Sequence, residues 1–215
     1  MNTGRLLVFE GGDGIGKSHL ATHLTSHLRE VGISVLQLSF PGRREGSLGN
    51  LIYAVHHNPA TFGVAEMTAL ALQALHIAAH LDEIASIILP TLTAGTWIVL
   101  DRYWWSTWVY GMSTGADPEC LDLLIAAEKL AWSGVRPAAV FVIERDRALR
   151  EEHSQETFGL LKSLYADIRK REERFQPTFV LDNNDLEQSK VDLFRLAGKI
   201  IDPFVEIKRE SERDI

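Results

Sequence analysis

At 215 residues the chain is long enough for one α/β domain with a full core and short for two. It is 46% apolar and 24% charged, a balance that excludes a disordered chain, a fibre and a disulfide scaffold. The formal net charge of −7 argues against polymeric nucleic acid as a partner, and the densest basic stretch, Arg169 to Arg174, is interrupted by Glu172 and Glu173.

Met1–Arg5 run into a strand-like segment without a signal-peptide pattern, and Cys120 is the only cysteine, which together predict a reduced, cytoplasmic protein. The first strand, Leu6–Glu10, leads into Gly11-Gly12-Asp13-Gly14-Ile15-Gly16-Lys17-Ser18 and then a helix with the stripe Leu20, Leu24, Leu28 and Val31. This is G-x-x-x-x-G-K-[ST] in its strand–loop–helix setting. Glycines let the backbone wrap phosphates, and the helix adds its positive end. Lys17 can reach the β and γ phosphates of ATP and Ser18 can hold Mg²⁺. A dinucleotide fingerprint fails, because Lys17 stands where its third glycine is needed.

A second strand, Val35–Phe40, ends in Phe40-Pro41-Gly42-Arg43-Arg44. The longest apolar stretch, Val64 to Leu81, reads as a helix; Glu66, Gln73, His76 and His80 within it argue against a membrane span. His76 and His80 share one helix face. They are read as structural histidines or as a metal pair lacking an evident third ligand.

The third strand, Trp97–Asp101, ends in Asp101-Arg102-Tyr103, followed by Ser106-Thr107-Trp108-Val109-Tyr110. Asp101 is placed to act on Mg²⁺, and Arg43 with Arg102 supply guanidinium groups for a second phosphate. Asp117-Pro118 starts a helix that Gly134 stops. A fourth strand, Ala138–Ile143, precedes Arg145, Arg147 and Arg150. A helix carries Phe158, Leu161, Tyr165 and Ile168. The fifth strand, Thr178–Leu181, leads to Asp182-Asn183-Asn184, and Leu193, Ala197 and Ile200 mark a last helix. A guanine-reading Ser189-Lys190-Val191-Asp192 falls inside that helix, which disfavours a GTPase. The fold class is α/β: a single doubly wound domain over 1–207 with a five-stranded parallel sheet, then a charged, frayed tail at 208–215.

In order and spacing, Phe9 to Ser18, the Phe-Pro-x-Arg segment, Asp-Arg-Tyr-x-x-Ser-x-x-x-Tyr, Arg136–Ile143 and Phe179–Asp182 resemble the thymidylate kinases, from about Leu6 to Ile201. The resemblance implies a P-loop nucleoside-monophosphate kinase fold, ATP and Mg²⁺ as cofactors, a nucleoside monophosphate as acceptor with dTMP foremost, and a homodimer. It implies that Gly11 to Ser18 bind ATP, with Asn183 in the loop that packs its adenine. Asp13 would accept a bond from the sugar 3′-hydroxyl. Phe40 would face the acceptor, and Arg43 and Arg102 would hold its phosphate. Ser106 and Thr107 would line the base pocket, Tyr110 would lie near the sugar 2′ position, and Tyr165 would touch the acceptor. Lys17, Asp101 and Arg102 would carry catalysis, with Arg147 and Arg150 as lid arginines. The family places an aromatic side chain that stacks on the base and an arginine that bonds it where this chain has His76 and His80, so the resemblance implies base contacts from both, and the family's lid segment is longer. Another pyrimidine or modified deoxynucleotide as acceptor, and a catalytically silent ATP-binding paralogue, are the competing readings.

Overall fold

The computed structural model describes residues 3–149 and 154–213, with the backbone alone from 202 onward. In chain order the elements are β1 (Leu6–Glu10), α1 (Lys17–Glu30), β2 (Val35–Ser39), α2 (Leu48–His57), a 3₁₀ turn (Pro59–Phe62) and α3 (Ala69–Glu83). A π turn (Ile84–Ile88), α4 (Leu89–Thr93), β3 (Trp97–Asp101), α5 (Trp104–Ser113) and α6 (Pro118–Ala131) follow. Then come β4 (Ala139–Glu144), α7 (Gln155–Glu172), β5 (Thr178–Asp182) and α8 (Leu186–Arg213). All five strands run parallel in the order β2-β3-β1-β4-β5. Alternate residues feed the two faces. Leu6, Val8, Ile98, Leu100, Val140 and Val142 pack under α3, α5, α6 and α7, while Leu7, Phe9, Val99 and Phe141 pack under α1 and α8.

The sheet therefore forms as expected, with shifts at its margins. β2 stops at Ser39 because Pro41 has no N–H for the ladder; Phe40 makes the last bond, its N–H donating to Asp101 O at 3.0 Å. The stripe on α1 ends at Leu28, and Val31 lies exposed beyond the helix, where Gly32 at φ 78 turns the chain. The apolar stretch expected to be helical from Val64 starts only at Ala69, where the Thr68 hydroxyl accepts from Ala71 N–H at 3.3 Å. The last helix continues through Arg213, past the point where a frayed tail is expected.

By length and composition alone Ala69–Thr93 could cross a bilayer. Here it buries Ile77, Ala79, Ile84, Ile88 and Leu92 in the domain core, and between them it carries His80 and Glu83, both also buried. Trp104 and Trp105 are core as well, and the Lys129 ammonium sits 4.0 Å over the Trp104 ring.

Candidate active site

The carboxyl ends of β1, β2 and β3 open into one cleft of about 1620 Å³, lined from the phosphate loop, α2, α3 and α5. Gly16 begins α1 at φ 92; a Cβ there would lie 2.4 Å from Nδ2 of Asn183, so both conformation and space require glycine. Asn183 donates that Nδ2–H to Ile15 O at 2.6 Å. The side chain expected near adenine is thus a brace for the loop backbone, and it also lines the cleft.

Lys17 is buried, its ammonium donating to Gly12 O. Burial, then the nearby Arg102 charge, pull its pKa down to about 8 against Asp101, Asp13 and Glu10. Ser18 donates its hydroxyl to Asp101 Oδ2. The other oxygen, Oδ1, is buried without a hydrogen-bond partner. This hydroxyl–carboxylate pair fits a hard cation such as Mg²⁺, whose remaining ligands are commonly water and phosphate. Among the described residues no group of three or more His, Cys, Asp or Glu side chains is arranged to hold a metal ion.

Arg102 takes φ 76, unusual for a residue with a Cβ, and its N–H donates to Phe9 O at 2.9 Å. Its guanidinium meets Asp13 with one nitrogen, reaches Ser106 Oγ at 3.1 Å with another, and lies 5.3 Å from the Tyr110 ring centroid. Tyr110 donates its hydroxyl to Asp13. Asp13, Arg102 and Tyr110, expected at acceptor sugar and phosphate, therefore converge from two separate elements. Arg43 is exposed on the cleft wall, 4.8 Å over the Tyr53 ring, while Arg44 approaches Glu83 at 3.6 Å.

Between α2 and α3 the cleft is lined by imidazoles. His76 Nε2 and His56 Nδ1, from α3 and α2, are 3.2 Å apart. His80 stacks on Phe40 with centroids 3.9 Å apart and planes 11° apart, and its Nδ1 meets Glu128 Oε2 at 2.9 Å. Glu128 is fully buried, so His80 is anchored on one side and presents only its remaining edge to the cleft. Burial, then His80 and His56, push the His76 pKa from 6.5 down to about 3. Between those values the unfolded chain binds a proton that the folded chain refuses, so stability falls as pH drops from about 6.5 toward 3. Melting temperature measured against pH is expected to decline less steeply over that window in His76→Gln.

Other residues land differently. Tyr165 is absent from the cleft wall; it lines a small cavity behind the phosphate loop and touches the site through Ser106 Oγ, 2.9 Å away. Ser106 and Thr107 are largely buried but do line the cleft, as expected, whereas none of the tryptophans does. Arg145 and Arg147 sit in a loop, not on a helix. Arg145 donates to Asn183 O, Arg147 is exposed, and Leu149 N–H donates to Gly14 O at 2.7 Å, laying this segment back on the phosphate loop. Arg150 lies outside the described residues. Sequence reasoning gave no role to Glu10, His56 or Glu128. A carboxylate ending a strand buried along its whole length was the one available signal, for Glu10.

Residues 9–178 match the family model described as thymidylate kinase. Proteins named thymidylate kinase match from Akkermansia muciniphila (35% identical, 55% of this chain and 53% of that protein), Chlorobaculum parvum (31%, 72% and 69%) and Pelotomaculum thermopropionicum (28%, 94% and 96%). The chain thus spans about half the first relative's length and nearly all of the third's. A crystal structure of thymidylate kinase from Ehrlichia chaffeensis superposes with a TM-score of 0.73 at 20% identity, covering 90% of this chain and 98% of that one, and supports the fold.

Proposed function

The chain belongs to the thymidylate kinase family, and on that premise we propose that it transfers the γ-phosphoryl group of ATP to a nucleoside monophosphate, dTMP foremost, giving dTDP and ADP. The observation that carries this reading is the meeting of Asp13, Arg102 and Tyr110 at the edge of the phosphate loop. A plain ATPase needs one phosphate site; a guanidinium held at the edge of the phosphate loop supports a second facing the first.

An oxygen of the acceptor phosphate attacks the γ-phosphorus as the bond to the β-bridging oxygen breaks, and that electron pair leaves on ADP. Lys17 and the loop N–H groups hold the β and γ phosphates. Arg102 spans donor and acceptor, Arg43 closes on the acceptor phosphate, and Asp13 with Tyr110 orients the sugar. Ser18 and Asp101 would hold Mg²⁺, which when bound neutralises charge on the phosphates in transfer. Alignment and charge neutralisation carry most of the acceleration in this chemistry. Family membership also supports association as a homodimer.

A second reading keeps the chemistry and changes the base, and it rests on the His56–His76 and His80–Glu128 pairs. Both readings meet one experiment: ADP release with ATP and Mg²⁺ against a panel of deoxy- and ribonucleoside monophosphates, with Lys17→Met as control. Turnover highest with dTMP and abolished in the control is expected. Preference for another pyrimidine transfers specificity to the imidazole pairs. ATP binding with no acceptor-dependent ADP release makes the protein a silent binder and ends the kinase proposal.

A further inference from the structure

We infer that Glu10 is a positioning residue, whose carboxylate holds the start of α5 so that Arg102 is aimed between the two phosphates. The inference rests on the transfer reaction proposed above.

Glu10 ends the central strand and is fully buried. Its Oε1 accepts the backbone N–H groups of Tyr103 at 2.8 Å and Ser106 at 3.0 Å. Its Oε2 accepts the Ser106 hydroxyl at 2.7 Å and the Tyr165 hydroxyl at 3.3 Å. The first turn of a helix leaves N–H groups without intrahelical partners, and α5 has no side-chain cap from Tyr103 at its own start. A carboxylate from another strand supplies the cap instead.

That cap fixes more than a helix end. Ser106 gives its one hydroxyl proton to Glu10, which leaves its oxygen to accept from Arg102 Nη1 at 3.1 Å. The resulting chain runs from Glu10 through Ser106 to the guanidinium. At the same time the N–H of Tyr103, the residue after Arg102, is tied to Glu10, and Arg102 N–H is tied to Phe9 O, the residue before Glu10. Arg102 is thus clamped on both sides to the end of β1, which is how a residue with a Cβ is kept at φ 76. A buried carboxylate is costly unless its oxygens are satisfied, and here every donor it finds lies on Arg102's own loop and helix or on Tyr165.

The test is a double-mutant cycle on the full chain. Glu10→Gln keeps the shape, and its amide oxygen can still accept the Tyr103 and Ser106 N–H groups, but its NH2 replaces Oε2 and donates to Ser106 Oγ in competition with Arg102. It is expected to lower kcat about 10²-fold with KM for ATP unchanged. In an Arg102→Ala background the same change should cost less than about threefold, because the group it aims is gone. Equal losses in both backgrounds would overturn the inference and leave Glu10 as a cap alone. Should Glu10→Gln not fold, Ser106→Ala breaks the same chain while leaving the carboxylate its backbone donors, and the same non-additivity decides. Absence of acceptor-dependent turnover in the unmodified protein would instead sink the underlying reaction, before any variant is read.

Discussion

Replacing Arg102 by alanine is expected to lower kcat for transfer to the acceptor nucleotide by about 10³-fold or more, the range seen when a guanidinium that meets transferring phosphates is removed. KM for ATP should change little, since Lys17 and the loop amides remain. The loss has two sources. A forked donor spanning both phosphates disappears, and Asp13, which the guanidinium now meets, loses that counter-charge beside an incoming dianion. Arg102→Lys should recover little, because an ammonium reaching Asp13 cannot also reach Ser106 Oγ in the same geometry. Steady-state ADP release decides it: a drop smaller than tenfold removes Arg102 from the transition state.

The second large effect comes from a residue with no chemistry of its own. Gly49 is in the first turn of α2, and a Cβ there would lie 1.9 Å from Pro41 O and 2.8 Å from Gly42 Cα. These are backbone atoms, which cannot swing aside as a side-chain end would. Gly49→Ala must therefore push the Phe40–Arg43 segment outward, moving Arg43 from the cleft wall and Phe40 from the His80 ring. KM for the acceptor is expected to rise at least about tenfold while KM for ATP holds, with a stability cost of about 1–3 kcal/mol for the overpacking. Gly4→Ala is the matched control. Its Cβ would meet Thr96 O at 2.0 Å, at the opposite end of the sheet, so it should lower the melting temperature and leave acceptor KM alone. If the two variants behave alike, the loop is not what Gly49 controls.

The strands were legible because the runs from Leu6, Trp97 and Ala139 are apolar at nearly every position, as strands covered on both faces must be. The phosphate loop was legible because its function demands particular residues at fixed spacing. The Asp13–Arg102 meeting could be expected only through a family resemblance, since 89 residues separate the partners. Two kinds of feature stayed hidden. The pairing of His80 with Glu128 depends on how α3 packs on α6, which no local pattern encodes. The inward turn of Asn183 onto Ile15 O, and of Tyr165 onto Ser106, depends on which way a side chain points once the loop is built. Helix α3 was drawn too long for a related reason: residues 64–68 are partly apolar, yet the Thr68 cap, not hydropathy, sets where the helix begins.

The π turn at Ile84–Ile88 has a rotational consequence for the cleft. His76, His80, Ile84, Ile88 and Leu92 recur at every fourth position. In an ordinary α-helix each such step overshoots a full turn by about 40°, so a long four-residue repeat spirals off its line. The wider i→i+5 turn undershoots and brings the phase back. One rod can therefore present imidazoles to the cleft at one end and aliphatic anchors to the sheet at the other without twisting between them. The direction in which the histidines face the cleft is thus tied to a bulge one to two turns away, among residues that line no part of the cleft.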